Sequence, residues 1–400
     1  MRILVVSPYM PSPMSGASTR SYYLLKALAS QHSISLVTIG HSAGSVMPSD
    51  ISLLEHLAHP VQVIVPPELS KRWQQLLTVG CGKSYVLKSH FLVKMQEALD
   101  ALVAREHYDA VFYESALMAD YRLPEGVKII IDQHNIEHEL RLRTYEHEKA
   151  WVRKWYNWLE GHLIKPIEIE RCRRAAIVLV PSERERLVLK RLQPSGIIEV
   201  VPNGVDIEAF QKSSSIQEVL GRIIFTGSMD YYPNVHAVLF FAQKVWPLIR
   251  AQIPTATWHI VGKNPLPEVQ RLAELAGITV TGSVPNMHPY LAEAEVAIAP
   301  LLIGGGTRLK ILEALAMQKA VVSTSLGCEG LSVMSGKHLI VADEPEAFAG
   351  EVVALLNNPE RRSLLGNAGR ALVESEYSWE RCGASLLEVL KKYLLGTVIF

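Results

Sequence analysis

Residues Pro300 to Met317 read Pro-Leu-Leu-Ile-Gly-Gly-Gly-Thr-Arg-Leu-Lys-Ile-Leu-Glu-Ala-Leu-Ala-Met. This stretch predicts the end of a buried strand, a glycine turn and the start of a helix. The apolar run Val296–Pro300 leads into three glycines, Gly304 to Gly306, and leucines then recur at helical spacing. Thr307 is the predicted N-cap of the helix. A helix start of this kind presents backbone N–H groups to an anion.

Two cations, Arg308 and Lys310, fall in the first predicted turn of this helix, and no acid balances them. Cations are disfavoured there, because a helix N-terminus already carries about half a positive charge. A bound phosphate or pyrophosphate would remove that penalty. Glu313 follows about one turn later, where it could accept hydrogen bonds from sugar hydroxyls. The alternative is a turn with two solvated cations, but the coincidence of all these features favours an anion site.

The composition indicates a soluble protein of two domains. The chain has 400 residues, of which 48% are hydrophobic, and its 40 basic residues balance its 40 acidic ones, which argues against a nucleic-acid binder. The cysteines match no metal or redox spacing, which is typical of a reducing compartment. They are Cys81, Cys172, Cys328 and Cys382. The first residues predict a strand rather than a signal peptide, and no apolar run is long enough to span a bilayer, so we expect a cytoplasmic location.

Short apolar strands alternate with helical segments along both halves of the chain. The predicted strands are 2–7, 34–39, 61–65, 110–113, 128–131, 176–180 and 197–201, and then 222–226, 257–261, 278–280, 296–299, 320–323 and 339–341. This alternation is typical of an α/β protein with two doubly wound, Rossmann-like domains. We place the domains at 1–202 and 203–378, with a helix over 379–396 packing back on the first. A ligand cleft is expected between them.

The loop after the first strand contains Gly16, where a phosphate or sugar could approach the backbone. It lacks the G-x-G-x-x-G pattern, which lowers the odds of a nicotinamide or flavin enzyme.

A second unusual segment, residues 149–174, holds seven basic and three acidic residues. Trp151, Trp155 and Trp158 recur in it at i, i+4 and i+7, on one face of a helix. Two interpretations stay open. Either this face meets an anionic membrane surface peripherally, or the tryptophans pack on the domain and the charges are solvated.

His134, Glu137 and His138 form the pattern H-x-x-E-H of a class of zinc hydrolases. The pattern follows directly on the strand 128–131, so His134 is expected in a strand-end loop, where two histidines four apart need not share a face. We therefore interpret His134 as a ligand-contacting residue. A zinc hydrolase and a loop histidine without a ligand remain alternatives, and no metal is expected.

Several stretches together resemble the glycosyltransferases of the GT-B fold, in particular the retaining enzymes of family 4 and their branch in exopolysaccharide synthesis. The matching stretches are the opening strand with the Gly16 loop, Ile131–Glu137, Val201–Asp206 with Phe210, Phe225–Asp230 through Trp246-Pro247, His259–Gly262 and Pro300–Gly330. The last is the most specific, and Val201–Asp206 comes next.

The resemblance implies transfer of a hexose-type sugar from a UDP- or GDP-sugar, with retention at the anomeric carbon, to a glycan or lipid-linked acceptor in cell-surface polysaccharide synthesis. The second domain would hold the donor and the first the acceptor, without metal or other cofactor. Glu313 matches the carboxylate that binds the donor ribose, His134 the histidine near the transferred sugar, and Gly16 the loop facing the donor phosphates. The other expected donor contacts are Asn203, Gly227, Ser228, Gly262, Lys263, Gly305, Gly306 and Thr307.

The chain departs from the family pattern at two places. The first glutamate of the family's pair would stand at position 305, which is Gly305, and Ser228 and Pro233-Asn234 stand where a phosphate-binding arginine and lysine are usual. We expect Arg308 and Lys310 to replace that pair, so that His134, Arg308, Lys310 and Glu313 form the catalytic set. The missing glutamate leaves open a non-catalytic nucleotide-sugar binder, and a GT-B epimerase or phosphorylase is a further alternative.

Overall fold

The computed structural model describes residues 1–13, 16–40, 48–66, 75, 78, 82–148, 150–212, 216–306 and 308–395, without the side chains of residues 16, 17 and 48. Its contacts divide the chain into two compact units. The first is Met1–Pro202 with Glu380–Phe400, and the second is Asn203–Trp379. The chain thus leaves the first unit once and returns to it.

The first unit is built on a parallel sheet of seven strands in the part of the chain that is described. They are β1 (Arg2–Ser7), β2 (Ser33–Ile39), β3 (Val61–Ile64), β4 (Ala110–Tyr113), β5 (Lys128–Asp132), β6 (Ile177–Val180) and β7 (Ile198–Val200), in the order β3-β2-β1-β4-β5-β6-β7. Ile3 pairs with Ile34 on one side and with Ala110 on the other. Helices cover both faces of such a sheet, which explains the nearly continuous apolar runs of its strands.

The helices of this unit lie between its strands along the chain. They are α1 (Gly16–Ala29), α2 (Pro48–Glu55), α3 (Tyr85–Ser89), α4 (Val93–Val103), α5 (Glu137–His147), α6 (Trp151–Arg174) and α7 (Glu183–Leu192). None of the helices described in either unit has both the length and the apolar character that a bilayer crossing requires.

The second unit has its own parallel sheet, of six strands in the described residues. They are β8 (Arg222–Thr226), β9 (Thr257–Val261), β10 (Ile278–Gly282), β11 (Val296–Ala299), β12 (Ala320–Ser323) and β13 (Ile340–Val341), in the order β10-β9-β8-β11-β12-β13. The helices are α8 (Tyr232–Phe240), α9 (Trp246–Gln252), α10 (Pro267–Gln270), α11 (His288–Glu293), α12 (Leu309–Ala316), α13 (Pro345–Leu356) and α14 (Pro359–Glu376). The prediction of two doubly wound α/β domains is confirmed.

The last helix, α15 (Trp379–Leu394), returns the chain to the first unit. Its Leu386 and Leu390 are buried in one core cluster with Leu24 and Leu25 of α1. Gly383 lies where a Cβ atom would come within 2.8 Å of the Ala27 Cβ, so the two helices touch closely at this point.

In both sheets the strand order reverses beside the first strand of the unit. In the first unit the reversal lies between β1 and β4, and in the second it lies between β8 and β11. Open α/β sheets bind ligands at the carboxyl ends of the strands at such a point. In the second unit those ends lead into Gly227 and into the glycine turn after Ala299, and in the first they lead into Tyr9 and Glu114.

Candidate active site

The glycine turn after β11 carries Arg308 over its own backbone. Arg308 Nη1 donates to the carbonyl oxygen of Gly306 at 2.9 Å and also to that of Gly305. Gly304 has φ +134°, and a Cβ there would lie 2.5 Å from Arg308 Nη2. Glycine therefore provides the room that the guanidinium occupies. The helix α12 begins at Leu309 with Arg308 at the N-cap position, so Arg308 precedes the first turn in which we expected it, and Thr307 lies outside the described residues.

Lys310 reaches from α12 to the carboxyl end of β8. Its Nζ donates to Asn234 Oδ1 at 2.7 Å and lies 3.9 Å from the centroid of the Phe225 ring, which is a cation–π distance. A Cβ at Gly227 would come within 2.9 Å of the same nitrogen. Burial, and then the neighbouring Arg308, lower the pKa of Lys310 to about 7. The contacts of the ammonium group with Asn234 and Phe225 therefore do not fully compensate the free-energy cost of burying its charge.

Glu313 follows Lys310 by three residues on the same helix and is half-buried. Burial raises the pKa of its carboxyl to about 7, although Lys310 acts in the opposite direction. An acid and a base thus both have pKa values near neutrality on one face of α12. Such convergence is typical of functional sites.

The ends of β8 and β9 meet backbone to backbone beside this lysine. A Cβ at Gly262, whose φ is +158°, would lie 1.7 Å from the Gly227 carbonyl oxygen. At Gly227, with φ +148°, a Cβ would also lie 2.6 Å from Asn234 Nδ2. Both glycines are therefore required by close approach. Together with Lys310, the backbone of these two glycines forms a surface at the carboxyl ends of β8 and β9.

Ser228 and Lys263 continue these two strand ends. Ser228 Oγ donates to Asp230 Oδ1 at 2.6 Å, and Asn264 Nδ2 donates to the other carboxylate oxygen at 3.0 Å. Burial opposes the charge of Asp230, but these two hydrogen bonds keep its pKa below the usual value. The Lys263 side chain is exposed. The structure thus brings Gly227, Ser228, Gly262, Lys263 and Lys310 together at one edge of the sheet.

Asn203 occupies a different loop of the second unit, at the start of that unit. It is buried, and its neighbour Gly204 packs so closely on the Trp379 ring that a Cβ would lie 2.8 Å from it. The Val205 amide donates to the Tyr377 carbonyl at 2.8 Å. These contacts give the stretch 201–206 a structural role where the chain enters and leaves the unit.

In the first unit His134 stands in the loop after β5, as expected. Its Nδ1 lies 2.5 Å from the Tyr9 hydroxyl, and its Nε2 lies 3.0 Å from Asp132 Oδ2. Burial, and then Glu114, raise the pKa of Tyr9 well above its usual value, so the phenol keeps its proton and donates it to Nδ1. The imidazole proton then belongs on Nε2, facing Asp132.

Asp132 is fully buried and paired with an arginine of α1. Arg20 donates from Nε and Nη2 to the two carboxylate oxygens at 2.8 and 2.6 Å, and from Nη1 to the Val201 and Pro202 carbonyls. Burial disfavours the carboxylate, but Arg20 outweighs it and holds the pKa of Asp132 well below its usual range. Arg20 lies one turn after Gly16, the first residue of α1. This ion pair therefore ties the Gly16 helix to the His134 loop.

Glu114 directly follows β4 and is 2% exposed. Burial raises the pKa of its carboxyl to about 7, while His134 acts to lower it. Its Oε2 has no hydrogen-bond partner among the described residues. A buried carboxyl of this kind at the point of strand reversal is a candidate functional group.

The sequence reasoning missed Tyr9, Arg20, Glu114 and Asn234. A signal for Glu114 exists, since a lone acid directly after an apolar strand lies at the ligand-binding edge of a parallel sheet. Arg20 and Asn234 lie inside helical patterns, and the sequence gives no sign of their partners.

The zinc interpretation finds no support in the arrangement of the histidines. His138 Nδ1 lies 2.6 Å from Glu168 Oε2, and the same carboxylate accepts from the backbone amides of Glu137 and His138. In the described ranges no three metal-ligating side chains come together. The H-x-x-E-H pattern thus spans a loop and a capped helix start rather than one helical face.

Comparison with known families gives two matches that divide the chain much as its two units do. Residues 14–209 match the model of Glycosyltransferase Family 4, and residues 221–358 match that of the Glycosyl transferases group 1.

Two curated relatives are similar over different shares of their length. One is an uncharacterized 44.6 kDa protein in the cps region of Klebsiella pneumoniae. It is 24% identical over an alignment of 179 residues, and the match covers 42% of this chain and 45% of that protein. The other is a GDP-mannose-dependent alpha-(1-6)-phosphatidylinositol monomannoside mannosyltransferase of Mycolicibacterium smegmatis. It is 26% identical over an alignment of 340 residues, and the match covers 74% of this chain and 87% of that protein.

A solved structure agrees over nearly the full length. Sucrose-phosphate synthase from Thermosynechococcus elongatus superposes with a TM-score of 0.74 at 15% identity, covering 99% of this chain and 100% of the other. At that identity the likeness concerns the fold. Taken with the two family matches, it shows that the chain belongs to the glycosyltransferases of the GT-B fold, in the group similar to family 4.

Proposed function

We propose that this protein transfers a hexose-type sugar from a UDP- or GDP-sugar to a glycan or lipid-linked acceptor, with retention at the anomeric carbon. The product would serve cell-surface polysaccharide synthesis. The relatives favour this class, since one is a mannosyltransferase acting on a phosphatidylinositol mannoside and another is encoded in a cps region.

The observation that carries the proposal is the set of charges on α12. Lys310 is held at a strand end with a pKa of about 7, and Arg308 lies over a glycine turn at the same helix N-terminus. Two cations at a helix N-terminus are unfavourable without an anion, because the helix dipole repels them. A nucleoside diphosphate would supply two phosphates to this place and restore the full charge of Lys310.

Asn234 stands where the family usually has a lysine, and Lys310 Nζ donates to it at 2.7 Å. A lysine from α12 therefore brings its ammonium to the position that the missing lysine would serve. This supports our expectation that Arg308 and Lys310 replace the usual phosphate-binding pair.

In the proposed reaction the bond between the anomeric carbon and the diphosphate oxygen breaks, and negative charge grows on the leaving diphosphate. An acceptor hydroxyl oxygen bonds to the same carbon on the face that the diphosphate leaves, and the hydroxyl proton passes to the leaving diphosphate. Lys310, Arg308 and the amides of Gly305 and Gly306 would stabilise that charge, and one such donor is typically worth about 3–4 kcal/mol of barrier. Glu313 would accept hydrogen bonds from the donor ribose. Because cations neutralise the diphosphate, we propose that no metal is required.

In the first unit His134 would position the transferred sugar. The Tyr9 hydroxyl lies 2.5 Å from Nδ1, while Nε2 lies 3.0 Å from Asp132 Oδ2 and makes no hydrogen bond among the described residues, so in this proposal Tyr9 holds the orientation of the ring. Gly16 would lie on the donor-phosphate side, at the start of α1.

The test is thermal unfolding of the full chain with UDP, GDP, ADP, dTDP or NAD, each with and without EDTA. A nucleotide at a hundredfold excess over its Kd stabilises the native state by about 2.7 kcal/mol. We expect stabilisation by UDP or GDP that EDTA leaves unchanged. It should be lost in Lys310→Met and kept in Lys337→Met, which removes an exposed lysine of the same unit.

Turnover separates an enzyme from a binding protein. A sugar conjugate of the stabilising nucleotide, such as a UDP- or GDP-hexose, is supplied as donor. NMR follows its consumption and the anomeric configuration of the product. Binding without any donor consumption would support the non-catalytic alternative, and an inverted product would contradict retention. No stabilisation by any nucleotide would contradict the assigned site.

A further inference from the structure

Helix α6 turns a row of tryptophans toward solvent. The exposed fraction is 79% for Trp151, 61% for Trp155 and 37% for Trp158. Spacings of four and three residues return to one side of a helix, and the Trp155 and Trp158 rings lie 5.6 Å apart. The interpretation that these tryptophans pack on the domain is therefore wrong for Trp151 and Trp155, while most of the Trp158 side chain is covered. We call this side of α6 the Trp face, and His162 and Lys165 continue it.

The acids of α6 point mostly the other way, into the unit. Glu160 is buried, and it accepts from Ser84 Oγ at 2.5 Å and from the Tyr85 amide at 2.9 Å. Glu168 is also buried, and it accepts from Gln133 Nε2 at 2.6 Å. Both carboxylates thus make their hydrogen bonds inside the unit and are not exposed beside the basic residues.

What remains outside is basic. Among residues 151–174 the exposed or half-buried charged side chains are Arg153, Lys154, Lys165, Arg173 and Arg174 against Glu170. Arg173 and Arg174 both lie within ion-pair distance of Glu170, at 3.6 and 3.9 Å. The amino-terminal half of the helix therefore presents tryptophans beside cations and no exposed acid.

Exposed tryptophans and exposed cations without acidic neighbours are both suited to contact with an anionic membrane surface. Trp rings are stable at the headgroup level of a bilayer, where an apolar body and a polar N–H are both satisfied. Each Lys or Arg near an anionic leaflet adds about 1 kcal/mol of attraction. A second protein would need acids to match these cations, and α6 offers a copy of itself only one exposed acid.

We propose that the Trp face of α6 docks the first unit on a membrane surface that contains anionic lipid. The attachment would hold the His134 loop at a fixed distance from the membrane, because Glu168 of α6 bonds both Gln133 Nε2 and the Glu137 amide on either side of that loop. The proposal does not depend on the sugar that is transferred or on the nucleotide site.

The test is sedimentation of the full chain with vesicles that contain no acceptor lipid. We expect binding to phosphatidylglycerol–phosphatidylcholine vesicles and at least about tenfold weaker binding to phosphatidylcholine alone. Brominated acyl chains in the anionic vesicles should quench tryptophan fluorescence, since the rings lie at the interface.

Matched variants identify the surface. Trp151→Ala/Trp155→Ala should weaken vesicle binding by about tenfold or more, whereas Leu364→Ala, an exposed apolar residue of α14, should not. Lys165→Glu should weaken binding about fivefold or more, whereas Lys337→Glu should change it little. Thermal unfolding of each variant checks that the fold is retained.

Three results would overturn the proposal. One is no binding to anionic vesicles at low salt, and another is equal binding by the double tryptophan variant. The third is a concentration-dependent dimer, seen by sedimentation equilibrium without vesicles, that the tryptophan variant abolishes, which would assign the Trp face to a second copy of the chain.

Discussion

The two units hold their key charges in opposite ways. In the first unit Arg20 and Asp132 are buried and joined by two hydrogen bonds, and Arg20 donates to two carbonyls besides. In the second, Lys310 Nζ donates to a neutral acceptor, Asn234 Oδ1, with no other hydrogen bond among the described residues, and the pKa of Lys310 falls to about 7. The first arrangement is complete without a ligand, while the second leaves a cation under-compensated. This difference assigns a structural role to the Arg20–Asp132 pair and an anion-binding role to Lys310.

The largest expected loss of stability comes from removing one partner of the Arg20–Asp132 pair. Asp132→Asn should lower the free energy of unfolding by about 3–5 kcal/mol, because it leaves Arg20 charged and buried. Denaturant unfolding measures this. Asp109→Asn is the control, because the Asp109 carboxylate accepts from the Arg2 amide at an exposed site. A loss below about 1 kcal/mol for Asp132→Asn would show that the pair is not structural.

Removal of the Lys310 charge should affect activity rather than stability. Lys310→Met should keep or slightly raise stability without ligand, because it removes a charge that the site disfavours. Its kcat should fall by about a hundredfold to a thousandfold, as for loss of one donor to a developing oxyanion. Unfolding and turnover measured on the same sample decide the point. A variant that unfolds easily yet keeps its activity would reverse our assignment.

Two glycines with positive φ sharpen the contrast further. Gly227→Ala should cost about 1–3 kcal/mol and abolish nucleotide binding, since its Cβ would press on Asn234 and Lys310. Gly282→Ala has φ +70° and no atom within 4 Å of the new Cβ, so only the backbone cost of about 1 kcal/mol is expected. Nucleotide titration of both variants compares them, and equal affinities would contradict the role given to Gly227.

The smallest expected effect is the dependence of nucleotide binding on pH. An anion favours charged Lys310, whose pKa without ligand is about 7, so binding should take up a proton above pH 7. Affinity should then fall by up to about tenfold per pH unit above 7. Calorimetry in two buffers of different ionisation enthalpy measures the proton uptake, and Lys337→Met, which keeps Lys310, should retain it.

The same shifts predict how stability itself changes with pH. For Lys310 the folded pKa lies below the unfolded one, so the unfolded chain binds more protons between pH 7 and about 10.5, and stability rises with pH there. For Glu313 the folded pKa lies above the unfolded one, so its contribution falls as pH rises from about 4.5 to 7. Without ligand the two groups together disfavour the folded state most near pH 7.

The architecture could be predicted because its signals are local. Strands such as Ala110–Tyr113 and Val296–Ala299 are short apolar runs, and the structure places both within the predicted bounds. The glycine turn with Arg308, Lys310 and Glu313 was also visible, since all of it lies in one contiguous stretch.

The contacts across the sheets could not be predicted. Lys310 meets Asn234, 76 residues away, and Arg20 meets Asp132, 112 residues away. Such pairs depend on which loops the strand order brings together, which no local pattern encodes. The helix start was misplaced for a local reason: Arg308 donates to the carbonyls of Gly305 and Gly306 and occupies the cap position.

The return of α15 to the first unit has a consequence for synthesis on the ribosome. The leucines of α1 that receive this helix, Leu24 and Leu25, are made early, but Leu386 and Leu390 emerge only after all of residues 203–379. At about 5–20 residues per second, that interval lasts on the order of ten to forty seconds. During it the second unit is being made, and Leu24 and Leu25 of the first unit are not yet covered by Leu386 and Leu390. The first domain to start is therefore the last to finish.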